Sequence, residues 1–92
     1  IESGAYSRGL VFCGSGNAVN MTVNKHKGVR SALCWNEEIA RLARAHNNAN
    51  VCALPARFIP AQDAWRIVKM FLSSEFEGGR HEKRVDKIEI QK

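Results

Sequence analysis

The chain has 92 residues, which is enough for one small domain and too short for two. With 45% apolar and 25% charged residues it has the composition of a globular protein, which excludes a disordered tail, a collagen-like repeat and a coiled coil. Lys and Arg exceed Asp and Glu by 14 to 9, but the basic residues are scattered and do not alternate with aromatic residues, so nucleic-acid binding is not indicated. No apolar run approaches the ~18–20 residues of a membrane helix, so no membrane association is expected.

The start of the chain and its cysteines bear on cellular location. The first residue is Ile1 and the segment Ile1–Gly4 lacks the features of a secretory signal, so we expect a cytoplasmic protein whose upstream part is not included. Three cysteines, an odd number without a CxxC pair, are typical of a reducing compartment and do not have the spacing of a zinc site. Cys34 and Cys52 lie in apolar runs and are predicted to be buried on strands.

Strands and helices are predicted to alternate in the order β-α-β-α-β-α-α. Short apolar runs predict strands, and apolar residues at i, i+3 and i+4 predict helices. In chain order these are a strand at 9–13, a helix at 17–25, a strand at 29–34, a helix at 36–45, a strand at 51–54, a helix at 60–73 and a helix at 80–87. Asn36 is the predicted N-cap of the second helix. Continuous apolar strands between helices indicate a parallel sheet covered on both faces, which is an α/β fold.

The third helix carries one apolar stripe that is predicted to face the core rather than a cofactor. Its residues are Ala61, Ala64, Trp65, Val68, Phe71 and Leu72.

A glycine-rich turn at residues 13–17 joins the first strand to the first helix and is the first candidate site. Its glycines let the backbone approach a ligand, and the N–H groups at the start of the helix favour an anion or a developing oxyanion. A helix N-terminus also favours the thiolate form of a nearby cysteine such as Cys13, and the hydroxyl of Ser15 can donate and accept. The turn fits neither a Walker loop nor GxGxxG. The alternative is a turn that only connects two elements, with a cysteine that only packs.

Two further candidates follow along the chain. His46 and Asn47 lie where the second helix ends, although a histidine there can simply cap the helix and the amides can make local turn bonds. Arg80 and Arg84 are four residues apart and share a helix face, which suits a phosphate dianion but equally a solvated basic face. Arg57 follows the third strand, at the edge of a parallel sheet where ligands bind.

Four segments in order give the chain a family resemblance. They are Gly-Leu-Val-Phe-Cys-Gly-Ser-Gly-Asn at 9–17, Asn-Lys at 24–25 before a Gly-Val-Arg strand, Leu-Ala-Arg-Ala-His-Asn-Asn-Ala-Asn at 42–50 and Glu-Gly-Gly-Arg-His-Glu-Lys-Arg at 77–84. From Ser7 to Ile88 the chain resembles the C-terminal part of the family of ribose-5-phosphate isomerase B and galactose-6-phosphate isomerase.

The resemblance implies a Rossmann-like three-layer α/β/α fold with a parallel sheet, in which residues 1–92 form a single domain that lacks the family's N-terminal strands. It also implies a cytoplasmic enzyme of the pentose phosphate pathway, a phosphorylated sugar as substrate, a homodimer or higher homo-oligomer, and no metal or organic cofactor. An Asp-His pair of the family lies in its N-terminal portion, so we expect the 92 residues alone to form an incomplete active site.

The implied reaction converts an aldose phosphate into a ketose phosphate, ribose 5-phosphate into ribulose 5-phosphate, through an enediolate. By resemblance, Cys13 is the base that moves a proton between C1 and C2, Ser15 assists proton movement between the oxygens, and His46 opens the furanose ring. The implied substrate-binding residues are Gly14, Gly16, Asn17 and Asn47. The implied phosphate-binding residues are Arg57, Arg80 and Arg84. Alternatives are a hexose 6-phosphate isomerase acting on galactose or allose phosphates, a non-catalytic sugar-phosphate-binding module, and an interaction domain that recruits a partner through an exposed strand edge.

Overall fold

The computed structural model describes Gly4 and residues 6–88. Residues 1–3, 5 and 89–92 lie outside the described residues, and with them both ends of the predicted domain 1–92 and most of the segment considered as a secretory signal. The elements are β1 (Gly9–Cys13), α1 (Asn17–Val23), β2 (Ser31–Leu33), α2 (Glu37–Asn47), β3 (Val51–Pro55), α3 (Ala61–Ser73) and α4 (Arg80–Ile88). The predicted order of elements is confirmed, with α1 and β2 shorter than expected.

Three parallel strands form the sheet in the order β1-β3-β2. Leu10 of β1 and Ala32 of β2 both pair with Cys52 of the central strand. Helix α1 connects β1 to β2 across the position of β3, and α2 connects β2 back to β3, so the two connections run in opposite directions along the sheet. Right-handed crossovers therefore place α1 and α2 on opposite faces. Helix α1 packs on all three strands, whereas α2 packs on α3. The predicted parallel α/β/α fold is therefore confirmed.

The core lies between β3 and the helix pair α2–α3. Every residue of β3 is buried, as expected for the central strand of a sheet with helices on both faces. Cys34 and Cys52 are fully buried, as predicted, although Cys34 lies just after β2 and only Cys52 is on a strand. The core residues are Cys34, Ala40, Ala43, Ala49, Cys52, Leu54, Ile67, Val68 and Phe71.

The prediction for the apolar stripe of α3 was partly wrong. Trp65 is 62% exposed and Leu72 is 50% exposed, whereas Ile67, which the stripe left out, is buried. The buried face of α3 is centred on Ile67, Val68 and Phe71, and Trp65 and Leu72 lie about 100° around the helix from it. Coverage of the sheet is also incomplete at the edge strand β1, where Phe12 is 58% exposed.

Both ends of α2 are fixed by polar contacts. The predicted N-cap is confirmed, since the side chain of Asn36 accepts a hydrogen bond from the N–H of Ile39 at 2.8 Å. At the other end the buried guanidinium of Arg44 donates to the carbonyl of Ala49 at 2.6 Å and to that of Ser74 at 3.2 Å. Arg44 thereby holds the end of α2 against the segment that follows α3.

Among residues 6–88, no helix combines the length and the apolar character that crossing a membrane requires.

Candidate functional site

Two turns meet at the carboxyl ends of β1 and β3. The N–H of Ala56 donates to the carbonyl of Cys13, and the N–H of Arg57 donates to the carbonyl of Gly14, both at 2.9 Å. These hydrogen bonds tie the turn after β3 to the glycine-rich turn after β1. Arg57 lies beside that turn because the adjacent parallel strands β1 and β3 end at the same edge of the sheet.

At Gly16, glycine is required by space as well as by backbone conformation. Gly16 has φ of 82°, and a Cβ built on it would clash with Cδ1 of Leu33 and lie 3.3 Å from the backbone nitrogen of Pro55. A Cβ on Gly14 would lie 3.4 Å from Cζ of Arg57. The guanidinium of Arg57 therefore lies beside Gly14, on the side where a Cβ would project.

The groups predicted to carry chemistry are accessible at this turn. Cys13 is partly exposed, unlike the two buried cysteines, and Ser15 is exposed. Ser15 Oγ lies 3.4 Å from the backbone nitrogen of Asn17, which is a weak cap. Gly16 at the N-cap of α1 offers no side chain, and the first turn holds no acidic residue. The positive end of α1 is thus left open at the turn that carries Cys13.

The remaining predicted residues lie at the opposite edge of the sheet. Helix α2 starts after the carboxyl end of β2, runs antiparallel to the strands and ends before the first residue of β3. Its 11 residues rise about 16 Å, so His46 and Asn47 lie about that far from the edge that carries Cys13. Asn47 there lines a cavity of about 320 Å³ between the residues that precede β2 and Ile88.

His46 lies in a cluster with Glu77 and His81. Nε2 of His46 is 3.6 Å from Oε1 of Glu77, and Nε2 of His81 is 3.8 Å from the same oxygen. The two imidazole rings are stacked, with centroids 4.2 Å apart and planes 16° apart. Burial lowers the pKa of His81, and the neighbouring His46 and Arg80 lower it further.

The same cluster is the one place among the described residues where three metal-ligand atoms lie within 4.8 Å of one another. A metal ion bound by an imidazole lies in the plane of the ring, about 2 Å from the nitrogen. Two nearly parallel rings 4.2 Å apart cannot both contain one ion in their planes unless one ring turns. The observed geometry is a stacked pair rather than a chelate.

The three predicted phosphate ligands are exposed arginines without acceptors. In the range 6–88, no hydrogen bond or ion pair forms at the guanidinium of Arg57, Arg80 or Arg84. Arg80 and Arg84 lie on α4, next to its buried residues His81 and Val85. Since Glu82 and Asp86 do not pair with them, the guanidinium groups are available to an anion.

The predicted residues thus fall into two groups. We call the first the carboxyl-edge half-site, and its members are Cys13, Gly14, Ser15, Gly16, Asn17 and Arg57. We call the second the amino-edge half-site, and its members are His46, Asn47, Arg80 and Arg84. A single copy of the chain does not bring the two half-sites together.

Sequence reasoning assigned no role to Glu77 and His81, and overlooked Arg44. Glu77 and His81 are four residues apart, on either side of Gly78 and Gly79. This spacing across a chain reversal could have indicated that the two side chains lie close together. Arg44 could not be recognised, because a buried arginine in a helix has the same sequence pattern as an exposed one.

Known proteins match both the sequence and the fold. Residues 1–88 match the family described as Ribose/Galactose Isomerase. The chain belongs to this family. It is 50% identical over 80 residues to a probable ribose-5-phosphate isomerase B of Mycoplasma genitalium, a match that covers 87% of the chain and 53% of that relative.

Two crystal structures show the same architecture. The structure of a ribose 5-phosphate isomerase of Thermotoga maritima has a TM-score of 0.92 at 47% identity, over 95% of the chain and 60% of that protein. The structure of ribose-5-phosphate isomerase B of Mycoplasma genitalium with bound ribulose-5-phosphate has a TM-score of 0.89 at 46% identity, over 95% of the chain and 57% of that protein. The chain spans somewhat more than half the length of the relatives it matches.

Proposed function

We propose that the chain carries catalytic and phosphate-binding residues of an aldose-ketose isomerase that interconverts ribose 5-phosphate and ribulose 5-phosphate. The observation that carries this proposal is the position of the Arg57 guanidinium, which pairs with no residue in the range 6–88, beside the turn that holds Cys13. It puts an anion-binding group next to a thiol and an open helix end. Family membership supports the reaction class, and a relative with bound ribulose-5-phosphate supports the substrate.

The first chemical step in this proposal is ring opening at His46. The imidazole takes the proton from the anomeric hydroxyl and delivers one to the ring oxygen, and the bond between C1 and that oxygen breaks to give the open aldehyde. An imidazole suits this step because it accepts and donates protons near neutral pH. Asn47, next to it on α2, binds sugar hydroxyls.

The second step is proton transfer at the carboxyl-edge half-site. The Cys13 thiolate removes the proton from C2, the electron pair forms the C1–C2 double bond, and the negative charge moves to the carbonyl oxygen. The backbone N–H groups of Gly14, Gly16 and Asn17 stabilise this enediolate. Ser15 relays a proton between the two oxygens, and return of the proton from Cys13 to C1 yields the ketose.

A complete site requires both half-sites, so we propose that two copies of the chain build it together. In a two-fold dimer the carboxyl-edge half-site of one copy faces the amino-edge half-site of the other, and the symmetry creates two equal sites. A separation of about 16 Å within one copy supports this arrangement, since no side chain spans that distance. Arg57 of one copy and Arg80 and Arg84 of the other then surround the phosphate.

A hexose 6-phosphate isomerase is the second candidate within the same reaction class. It is favoured by the description of the matching family, which names galactose beside ribose. The difference between the two substrates is one carbon, so the distance between the phosphate arginines and Cys13 in the assembled site decides between them.

The test is an isomerase assay of the intact protein that contains this chain. Ribose 5-phosphate, allose 6-phosphate and galactose 6-phosphate are offered in parallel, and ketose formation is followed. We expect ketose from ribose 5-phosphate. Turnover of a hexose phosphate alone would select the second candidate, and binding of these sugar phosphates without any turnover would indicate a non-catalytic sugar-phosphate-binding module.

A further inference from the structure

Glu77 and His81, which lie beside His46, have no part in the reaction described so far. Glu77 lies in the segment between α3 and α4, and His81 lies in the first turn of α4. The Glu77 carboxylate faces the Nε2 of both histidines, and the ring of His81 stacks on that of His46. A buried histidine and a carboxylate converging on one imidazole need an explanation beyond packing.

The two imidazoles differ in their freedom to move. The His81 side chain is 9% exposed, whereas that of His46 is 38% exposed. The ring of His81 is therefore a fixed surface, whereas the ring of His46 is partly open to solvent. Contact with a fixed flat ring limits rotation of His46 about its side-chain bonds, which keeps its nitrogens in one plane.

Glu77 is fixed by the backbone at the place where it faces His46. Its N–H donates to the carbonyl of Ala45 at 2.9 Å, one residue before His46 in α2. Gly78 and Gly79, with φ of 69° and 55°, then reverse the chain into α4. The carboxylate reaches His46 from this fixed point, at an ion-pair distance of 3.6 Å.

The groups around the pair disfavour protonation of His81. Burial, His46, Arg80 and Arg84 all lower the pKa of His81, and Glu77 alone opposes them. Because protonation of His81 is disfavoured, its ring at 4.2 Å adds little repulsion to the positive charge that His46 takes up while it carries a proton during ring opening. The carboxylate of Glu77 lies at ion-pair distance from the Nε2 that carries this charge.

We infer that His81 and Glu77 are positioning residues for His46: His81 fixes the plane of its ring by stacking, and the Glu77 carboxylate, at ion-pair distance from its Nε2, orients that nitrogen. The inference rests on the role proposed for His46. It predicts that loss of either residue impairs ring opening and leaves proton transfer at Cys13 intact, since the two groups do not touch the carboxyl-edge half-site.

A pair of substrates separates the two steps. Ribose 5-phosphate is a closed furanose and must be opened. Erythrose 4-phosphate carries its phosphate on the hydroxyl that would close a five-membered ring, so it remains open and needs no ring opening. Both present the same C1–C2 group and a terminal phosphate. The kinetics of the intact protein on both sugars are compared for wild type, His81→Ala, His81→Phe and Glu77→Gln.

We expect His81→Ala and Glu77→Gln to lower kcat on ribose 5-phosphate by about tenfold to a hundredfold, and to change kcat on erythrose 4-phosphate by less than about twofold. His81→Phe should recover most of the loss, because a phenyl ring restores the stack. Val85→Ala, which loosens the other buried position of α4, and Glu82→Gln, which removes an exposed carboxylate from the same helix, are the controls. Neither should favour one sugar over the other.

Equal losses on both sugars in His81→Ala, as a general loosening of α4 produces, would overturn the inference. So would full activity of both Glu77→Gln and His81→Ala on ribose 5-phosphate. A wild-type protein that turns over neither sugar would instead overturn the proposed function, which separates the two failures.

Discussion

Cys13 is distinguished from the other two cysteines by its surroundings. Cys34 and Cys52 are fully buried between β3 and the helices, whereas Cys13 is the last residue of an edge strand and partly exposed. Its carbonyl accepts a hydrogen bond from the N–H of Ala56, which fixes the backbone at the start of the turn. The surroundings of the three cysteines therefore favour a chemical role for Cys13 and a packing role for Cys34 and Cys52.

Replacing Cys13 by alanine tests that role. We expect kcat of the intact protein to fall by about a hundredfold to ten-thousandfold, because the base is lost, with little change in the affinity for the sugar phosphate. Turnover and binding are measured on the same preparation. A loss of affinity as large as the loss of rate would contradict the assignment of Cys13 as the base.

Gly16 is predicted to be the least replaceable residue of the turn. Gly16→Ala has to tolerate φ of 82° and also a clash with Leu33, whereas Gly28→Ala has to tolerate only φ of 77° in open space. We expect Gly28→Ala to lower the free energy of unfolding by about 1–2 kcal/mol and Gly16→Ala to lower it by about 1–3 kcal/mol more. Urea unfolding measures both, and equal losses would show that Leu33 simply moves aside.

At the scale of elements, α2 determines where the site residues lie. Its first turn is capped at the carboxyl edge of the sheet by Asn36, and its last residues reach the amino edge. Arg44 ties that last turn to Ala49 and Ser74, and Glu77 adds a backbone bond to Ala45. The orientation of His46 toward α4 thus depends on a few hydrogen bonds at one end of one helix.

Arg44→Met isolates the contribution of these bonds. Methionine keeps most of the apolar volume but leaves buried carbonyl oxygens without donors, so the free energy of unfolding should fall by about 2–4 kcal/mol. Arg41→Met on the same helix is the control, since the ion pair of Arg41 with Glu38 is exposed and its loss should cost less than about 1 kcal/mol. Similar losses for the two variants in urea unfolding would contradict a bracing role for Arg44.

Elements and their order could be predicted because strands such as 51–55 are continuous apolar runs and α2 has a clear N-cap. The exposure of Trp65 and Leu72 could not be predicted, because an apolar stripe in the sequence does not show how much of it is covered by neighbouring elements. The separation of His46 from Cys13 could have been predicted. A helix between parallel strands runs back along the sheet, so residues at its two ends lie at opposite edges. The family resemblance assigned His46 and Cys13 to one active site by their roles, and it did not consider how far apart they lie in a single chain.

At the scale of the whole molecule, a single copy presents two half-sites that face different ends of the sheet. Each is chemically incomplete: one holds the proposed base and oxyanion donors, the other the proposed ring-opening group and two phosphate arginines. Their union across a two-fold axis is the central claim of the proposed function. The exposed arginines at both edges, which pair with no residue between 6 and 88, are consistent with it.

Mixing two inactive variants tests this claim most directly. Cys13→Ala disables the carboxyl-edge half-site and His46→Ala the amino-edge half-site, and the two proteins are co-refolded or co-expressed in equal amounts. If the site is shared between copies, half of the dimers are mixed and each has one intact site, so roughly a quarter of the wild-type activity returns. If each copy builds its own site, every site in the mixture lacks one group and no activity returns, which would contradict the account.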